Sequence, residues 1–372
     1  MGARAAAARM PSVPLALAAG LAWAAPAGGA GEGETCAADG RGCVELPAFP
    51  DCEHSCGRRR CLASGSGNTE RVWPACPSGP DGCRDCADKN QDCPRFARSF
   101  RGHGCEDNPS FMIDVCARSC NTCHLRNLTT RCGHLLDMPE SVEPGAINRT
   151  VQRMLNIRGL SVEILSEDPW ILKFPKFLTE EEIAFLTDAK TRGPWNTGQT
   201  EEYGRRKEVY TGFRKTDVAW CNCPCQDHPV GRMLVSRVSE VLQVHPHYLE
   251  KMQFLRYTPG MFFKPHHDAY LVGSPNDPRN TRKHRVYTFF MYLTDVARGG
   301  ATHFPSLGLK VQPERGAAIL WPSVYDHDPW KADPRTEHEG LAVEEGEKLS
   351  LNMWWRLGPN ALAQDVGCPD WR

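Results

Sequence analysis

Tyr257-Thr-Pro-Gly260-Met-Phe-Phe-Lys-Pro-His266-His267-Asp268 is the stretch on which the reading of this chain turns. Residues two apart on an extended backbone project to the same side, so His266 and Asp268 would present an imidazole and a carboxylate together. Such a pair is two-thirds of the two-histidine, one-carboxylate set that holds a metal ion and leaves coordination positions open. An H-x-D triplet is common by chance, and the assignment depends on a third ligand arriving from a distant strand. Two histidines compete for that place. His338 stands in Asp333-Pro334-Arg-Thr336-Glu-His338, and His327 in Tyr325-Asp-His327-Asp.

Lys348 follows His338 beyond a Glu345-Gly346 turn that would bring it back toward the same site. A 2-oxoacid chelating an iron ion would need a cation for its far carboxylate, which a desolvated lysine supplies. Read alone, Lys348 is equally a solvated charge at the end of a strand. Apolar runs at 170–174, 253–258, 285–294, 317–321 and 348–356 read as strands, flanked by turns at Pro259-Gly260, Gly299-Gly300 and Glu345-Gly346. Thr179 and Glu182 form a capping box ahead of Ile183 and Leu186, and residues 230–244 carry a second helical pattern. A few helices and then many strands predict a mainly β fold with flanking helices, a sandwich or barrel.

The N-terminal third has a different character. Arg4 and Arg9 precede an apolar run, Val13 to Ala25, that ends at a small-residue cleavage pattern. We expect a signal peptide over 1–27, with an uncleaved signal anchor as the alternative. The chain carries 18 cysteines, and all but four lie between Cys36 and Cys132. That density suits an oxidising compartment, so a disulfide framework and the secretory pathway (endoplasmic reticulum or Golgi lumen, or secretion) are expected. Asn127-Leu-Thr and Asn148-Arg-Thr are glycosylation sequons. Cys221-Asn-Cys223-Pro-Cys225 reads as a further disulfide site or a zinc site. The expected boundaries are a cysteine-rich segment at 28–85, a disulfide module at 86–123, a linker at 124–160, a catalytic domain at 161–358 and a tail at 359–372. A net charge of -1 gives no reason to expect nucleic acid as a partner.

Two resemblances sharpen this picture. Cys86, Cys93, Cys105, Cys116, Cys120 and Cys123, with Asn108-Pro-Ser-Phe-Met112 between them, resemble the six-cysteine ShK-toxin-like domain. The resemblance implies the pairing Cys86–Cys123, Cys93–Cys116 and Cys105–Cys120. Ser110 and Phe111 replace the Lys-Tyr pair of the channel-blocking toxins, which argues for an accessory module. Further on come Arg256-Tyr257-x-x-Gly260, His266-x-Asp268, Arg285-x-x-Thr288, Tyr292-Leu-Thr-Asp295, Gly299-Gly-x-Thr302-x-Phe304-Pro305, Gly316, Asp333-Pro-x-Thr336-x-His338, Gly346-x-Lys348 and Trp354. Their order resembles the prolyl 4-hydroxylase catalytic domain of plant and algal type, over roughly residues 165–358.

The second resemblance implies a double-stranded β-helix (jelly roll) that uses Fe(II), 2-oxoglutarate and O2, with ascorbate as a supporting reductant. It would hydroxylate prolyl residues of a polypeptide, procollagen-like or other, and release succinate and CO2. His266, Asp268 and His338 take the place of the iron ligands, and Lys348 that of the partner of the distal carboxylate. Tyr257 and Thr302 fall at cosubstrate-bonding positions, Trp354 at a pocket aromatic, and Glu250 and Arg285 near the peptide site. Leu341-Ala-Val343 departs from the family's Cys-Pro-Val after the distal histidine, which bears on peptide choice. Two other readings remain: the same chemistry on another residue or a small molecule, and an inactive fold whose cysteine-rich part serves as a binding or matrix protein.

Overall fold

A computed structural model of the chain describes residues 86–269 and 284–368, apart from 103–104, 106–108, 198–199, 203–204, 208–211, 222, 227 and 366, together with two short paired strands within 52–61. The signal-peptide expectation and most of the 28–85 segment lie outside the described residues. Among the described residues no helix is long and apolar enough to cross a membrane.

Thirteen strands organise the site. In chain order they are β1 (Glu163–Glu167), β2 (Trp170–Phe174), β3 (Asn196–Thr197), β4 (Arg214–Lys215), β5 (Asp217–Trp220), β6 (Gln253–Tyr257) and β7 (Phe262–His266). They continue as β8 (Arg285–Tyr292), β9 (Thr302–Phe304), β10 (Leu309–Val311), β11 (Ala318–Pro322), β12 (His338–Gly340) and β13 (Lys348–Arg356). A major sheet runs β1-β2-β11-β8-β13-β6-β5-β3 and a minor sheet β10-β9-β12-β7-β4, every pairing antiparallel.

Side-chain alternation on the two central strands explains this layering. On β8, Phe290 and Tyr292 join Phe304 and Val311 of the minor sheet in the core between the sheets. Their neighbours Phe289 and Met291 face the other way, into a larger core shared with helices. On β13, Leu349, Leu351, Met353 and Trp355 enter that same helical core, whereas Lys348, Ser350, Asn352 and Trp354 take the opposite side. Both faces are therefore covered, and each fully buried large side chain contributes about 1.5–3 kcal/mol.

The helices on the outer face are α4 (Ala146–Met154), α5 (Glu180–Thr187) and α6 (Pro229–Leu242). The capping box at α5 is complete: Glu182 N donates to Thr179 Oγ1 at 3.2 Å, and Thr179 N donates to Glu182 Oε2 at 2.9 Å. Before them come α1 (Cys93–Gly102), α2 (Pro109–Val115) and α3 (Leu128–Leu136).

The disulfide module contains the pairs Cys86–Cys123, Cys93–Cys116 and Cys105–Cys120. Its own core amounts to Cys93, Met112, Cys116 and Cys120 with a few partly buried neighbours, so cross-links must supply what apolar burial cannot. Two boundaries differ from the sequence reading. Residues 124–160 are no loose linker: Ile147, Val151 and Met154 of α4 belong to the main core. Their spacing of four and three puts all three on one helical face. The described part of the expected tail is docked as well: it forms α7 (Asn360–Asp365), whose Ala363 packs with Ile113, Leu125 and Leu135, and Cys368 is bonded to Cys132. Cys221 is joined to Cys225, which spends the two outer thiols of the CNCPC loop and leaves no such pair for zinc. Asn127 caps α3 through Oδ1, and Asn148 bonds Asp326 and Trp170.

Candidate active site

His266 and His338 are direct cross-strand partners on β7 and β12, their ring centroids 4.4 Å apart. Asp268 lies just past the end of β7 rather than on it, a difference from the extended H-x-D expectation. The chain bends there because His267 turns aside, with Nε2 2.7 Å from Asp333 O and 3.0 Å from Thr336 Oγ1. The bend carries the Asp268 carboxylate to 3.6 Å from His338 Nε2. One potential ligand atom from each of His266, Asp268 and His338 lies within 4.8 Å of the others. His327 is elsewhere, in a hairpin beside Tyr325. The frame before His338 has a local cause: Asp333 caps a 3-10 turn at Pro334–Thr336 that aims the next strand.

Hydrogen bonding prepares these side chains for a metal. His266 Nδ1 lies 2.8 Å from Lys264 O and His338 Nδ1 3.0 Å from Thr336 O. A carbonyl can only accept, so each Nδ1 carries the proton and each Nε2 keeps a free lone pair. Thr288 Oγ1 donates to Asp268 Oδ2 at 2.6 Å, and the Arg285 guanidinium stands 3.8 Å from Oδ1. Desolvation pushes the His266 imidazole down to about 3, and burial lowers His338 too. Burial opposes the Asp268 carboxylate, but His338, Arg285, His266 and the Thr288 hydroxyl outweigh it and hold its pKa at about 2. Two neutral imidazoles and one carboxylate are the protonation state that binds Fe(II), and the donor set fits the facial arrangement of non-haem iron.

A cavity of about 640 Å³ joins this cluster to Lys348. Lys348 is 1% exposed, and its ammonium donates to Gly300 O at 2.8 Å and lies 3.5 Å from Thr302 Oγ1. The rings of Tyr257, Phe290 and Tyr292 surround it at 5.2, 5.4 and 5.6 Å. Tyr292 also donates to Thr302 at 2.8 Å. Desolvation pushes Lys348 down to about 7 and Tyr257 up to about 12. A carboxylate seated here would restore the lysine's charge, as the far end of a dicarboxylate requires.

At the cavity's other end Arg285 stacks 3.7 Å over Trp354, both of them lining residues. Glu250 does not line the cavity. It is buried behind Arg285, accepting from its Nε at 2.6 Å and from Arg356 Nε at 2.6 Å. Glu250 therefore holds Arg285 in place from behind the cavity wall. Thr288 and Tyr292 fall on positions of the family pattern but carry no assigned role from sequence, and Trp321, Gln253 and Asn352 carry none either. The only signal of the last three is a polar or aromatic residue at an inward position of a strand that otherwise reads as core.

The sequence model described as 2OG-Fe(II) oxygenase superfamily matches residues 252–356, the span from β6 to the end of β13. Over 217 residues the chain is 31% identical to prolyl 4-hydroxylase 1 of Arabidopsis thaliana, covering 55% of this chain and 74% of that protein. This chain belongs to the prolyl 4-hydroxylase family. It is a 2-oxoglutarate-dependent dioxygenase. The family's α-1 subunit from Gallus gallus is 27% identical over 54% of this chain but only 39% of the subunit, so most of that protein has no counterpart in the alignment. The crystal structure of a viral collagen prolyl hydroxylase from Paramecium Bursaria Chlorella virus-1 covers 52% of this chain and 98% of its own at 23% identity. Its TM-score is 0.36, and the fold described above rests on the strand pairing alone.

Proposed function

We propose that this chain is a peptidyl-proline 4-hydroxylase of the secretory pathway. The observation that carries the reading is the single cavity lined both by the His266, Asp268 and His338 cluster and by the buried, carboxylate-poor Lys348. Bound Fe(II) would supply oxidative decarboxylation of 2-oxoglutarate coupled to hydroxylation of the prolyl ring, releasing succinate and CO2. The chain's own part is to place and to exclude. His266, Asp268 and His338 hold the metal. Lys348, with Tyr257 and Thr302, holds the far carboxylate of the cosubstrate. Trp321, edge-on to His338 at 4.6 Å, and Phe263, stacked on His266 at 3.6 Å, wall the ligands from water. Arg285 and Trp354 face the entering polypeptide. Ascorbate would keep the metal reduced, and the glycosylation sequon at Asn127 accords with disulfides formed in an oxidising lumen.

Incubation with proline-rich peptides, 2-oxoglutarate, Fe(II) and ascorbate should give +16 Da products and matching succinate. His266→Ala and Asp268→Ala should each abolish both signals. Full activity in either variant would remove the ligand assignment. Product on lysine, or on a small molecule and no peptide, would move the chemistry to another substrate.

A further inference from the structure

The pairing of β7 with β12 accounts for the placement of two ligands and not for the third. Its last cross-strand pair is His266 with His338, and the register is irregular just before it. Asp268 lies two residues further on, past the end of β7. Ladder bonds fix the backbone only where strands face each other. Something else must set the spacing between Asp268 and His338.

His267 supplies the connection. Its Nε2 lies 2.7 Å from Asp333 O, 66 positions along the chain. A carbonyl can only accept, so a ring proton sits on Nε2, and Nδ1 accepts the Ala269 N–H at 3.0 Å. Ala269 O also lies 3.0 Å from Nδ1. One imidazole thereby meets the chain on both sides of Asp268.

The far end of the connection is equally defined. Asp333 O also accepts from Thr336 N at 3.0 Å and from Thr336 Oγ1 at 2.9 Å. That hydroxyl oxygen is itself 3.0 Å from His267 Nε2. Thr336 O in turn holds His338 Nδ1 at 3.0 Å. Asp333 and Thr336 are both buried, so the turn is a firm anchor.

We propose that His267 is a positioning residue for the metal site, a clasp that does for Asp268 what strand pairing does for His266 and His338. It joins the backbone beside one ligand to the turn before another. The 3.6 Å separation of the Asp268 carboxylate from His338 Nε2 is set through it. Thr288 acts on the carboxylate itself, whereas the clasp acts on the backbone that carries it. The inference rests on the hydroxylase reading and deepens it, because it concerns how that site holds its metal before any substrate arrives.

The test is a Co(II) titration, followed by visible absorption, of wild type, His267→Asn and His267→Gln. The Asn carboxamide reaches only as far as Nδ1, so it keeps the Ala269 contact and loses the Asp333 turn. The longer Gln carboxamide reaches the place of Nε2 and can still donate to Asp333 O. Affinity should fall about 10- to 100-fold in His267→Asn and far less in His267→Gln. Both metal-free variants should keep the Tm of wild type. Co(II) bound to His267→Asn should also absorb differently, because the carboxylate no longer meets the metal from the same place. Affinity unchanged in His267→Asn, or lost equally in both variants, overturns the clasp. So does a loss that only follows a lowered Tm. Should His267→Asn not fold, His267→Ala takes its place in the comparison with His267→Gln. Wild type that binds no Co(II) would instead end the metal-centre reading, and the clasp with it.

Discussion

Lys348 should make cosubstrate binding take up a proton. Its ammonium is buried with one carbonyl bond at 2.8 Å and no ion pair among the described residues, and desolvation lowers its pKa to about 7. An ordinary lysine titrates at about 10.4, so holding the charge here costs roughly 4–5 kcal/mol when no anion is present. The sign is the reverse of a salt-bridged group. The folded state binds fewer protons than the unfolded chain between about pH 7 and pH 10, so this residue's penalty is fully present below pH 7 and is relieved as pH rises through that window.

A dicarboxylate that needs the ammonium must restore the missing proton. The protonated fraction of the empty site falls from about 0.9 at pH 6 to about 0.1 at pH 8, so the apparent Kd for 2-oxoglutarate should rise about tenfold between them. Calorimetry at pH 8 in two buffers of different ionisation enthalpy, with Mn(II) in place of iron to prevent turnover, should report uptake of nearly one proton per ligand. Lys348→Met should bind far more weakly and show no uptake. A flat affinity with no proton uptake in wild type would refute the assignment of Lys348 as the carboxylate partner, whatever its effect on activity.

Thr288→Val keeps the shape of the side chain and removes the 2.6 Å bond to Asp268. Metal affinity, read by Co(II) titration, should fall about 10- to 100-fold, and Thr288→Ser should restore most of it. Glu250→Gln should release Arg285, raising the peptide KM, with a smaller loss of Co(II) affinity than in Thr288→Val because Arg285 stands 3.8 Å from Asp268 whereas Thr288 bonds it directly. Replacing both Cys132 and Cys368 by Ser opens a link across 236 residues. It should lower stability by up to about 5 kcal/mol, read as a lower Tm, with the cavity chemistry retained.

The parts of the fold legible in sequence were those where alternation or ligand chemistry leaves no second solution. β13 reads Lys-Leu-Ser-Leu-Asn-Met-Trp-Trp-Arg, polar and apolar in turn, and it is one of the two central strands of the major sheet. The capping box of α5 was equally plain. The α4 helix was not, because three apolar residues among Arg149, Gln152 and Arg153 are too few to separate a docked helix from a linker. Cys132 and Cys368 carry no spacing signal, since their proximity is made by the whole fold. Glu250 was placed near the peptide by its resemblance to a family position; only packing shows that Arg285 and Arg356 both close over it.

Alternation on β13 also ties the site to the fold's stability. A one-residue slip in its pairing would place Leu349, Leu351 and Met353 in the cavity and drive Lys348 and Asn352 under the helices. The slipped sheet would lose apolar burial on one face and bury an ammonium among side chains such as Leu234 and Val238 on the other. Both penalties favour the native register, so the pattern that keeps the sheet in place is the one that aims Lys348 inward. His338 lacks that protection. It stands on a three-residue strand of the minor sheet, and its position depends on the Asp333 cap and the His267 contacts. Damage to β13 should therefore appear as unfolding, whereas damage to the Asp333 turn should appear as lost metal affinity in a folded protein.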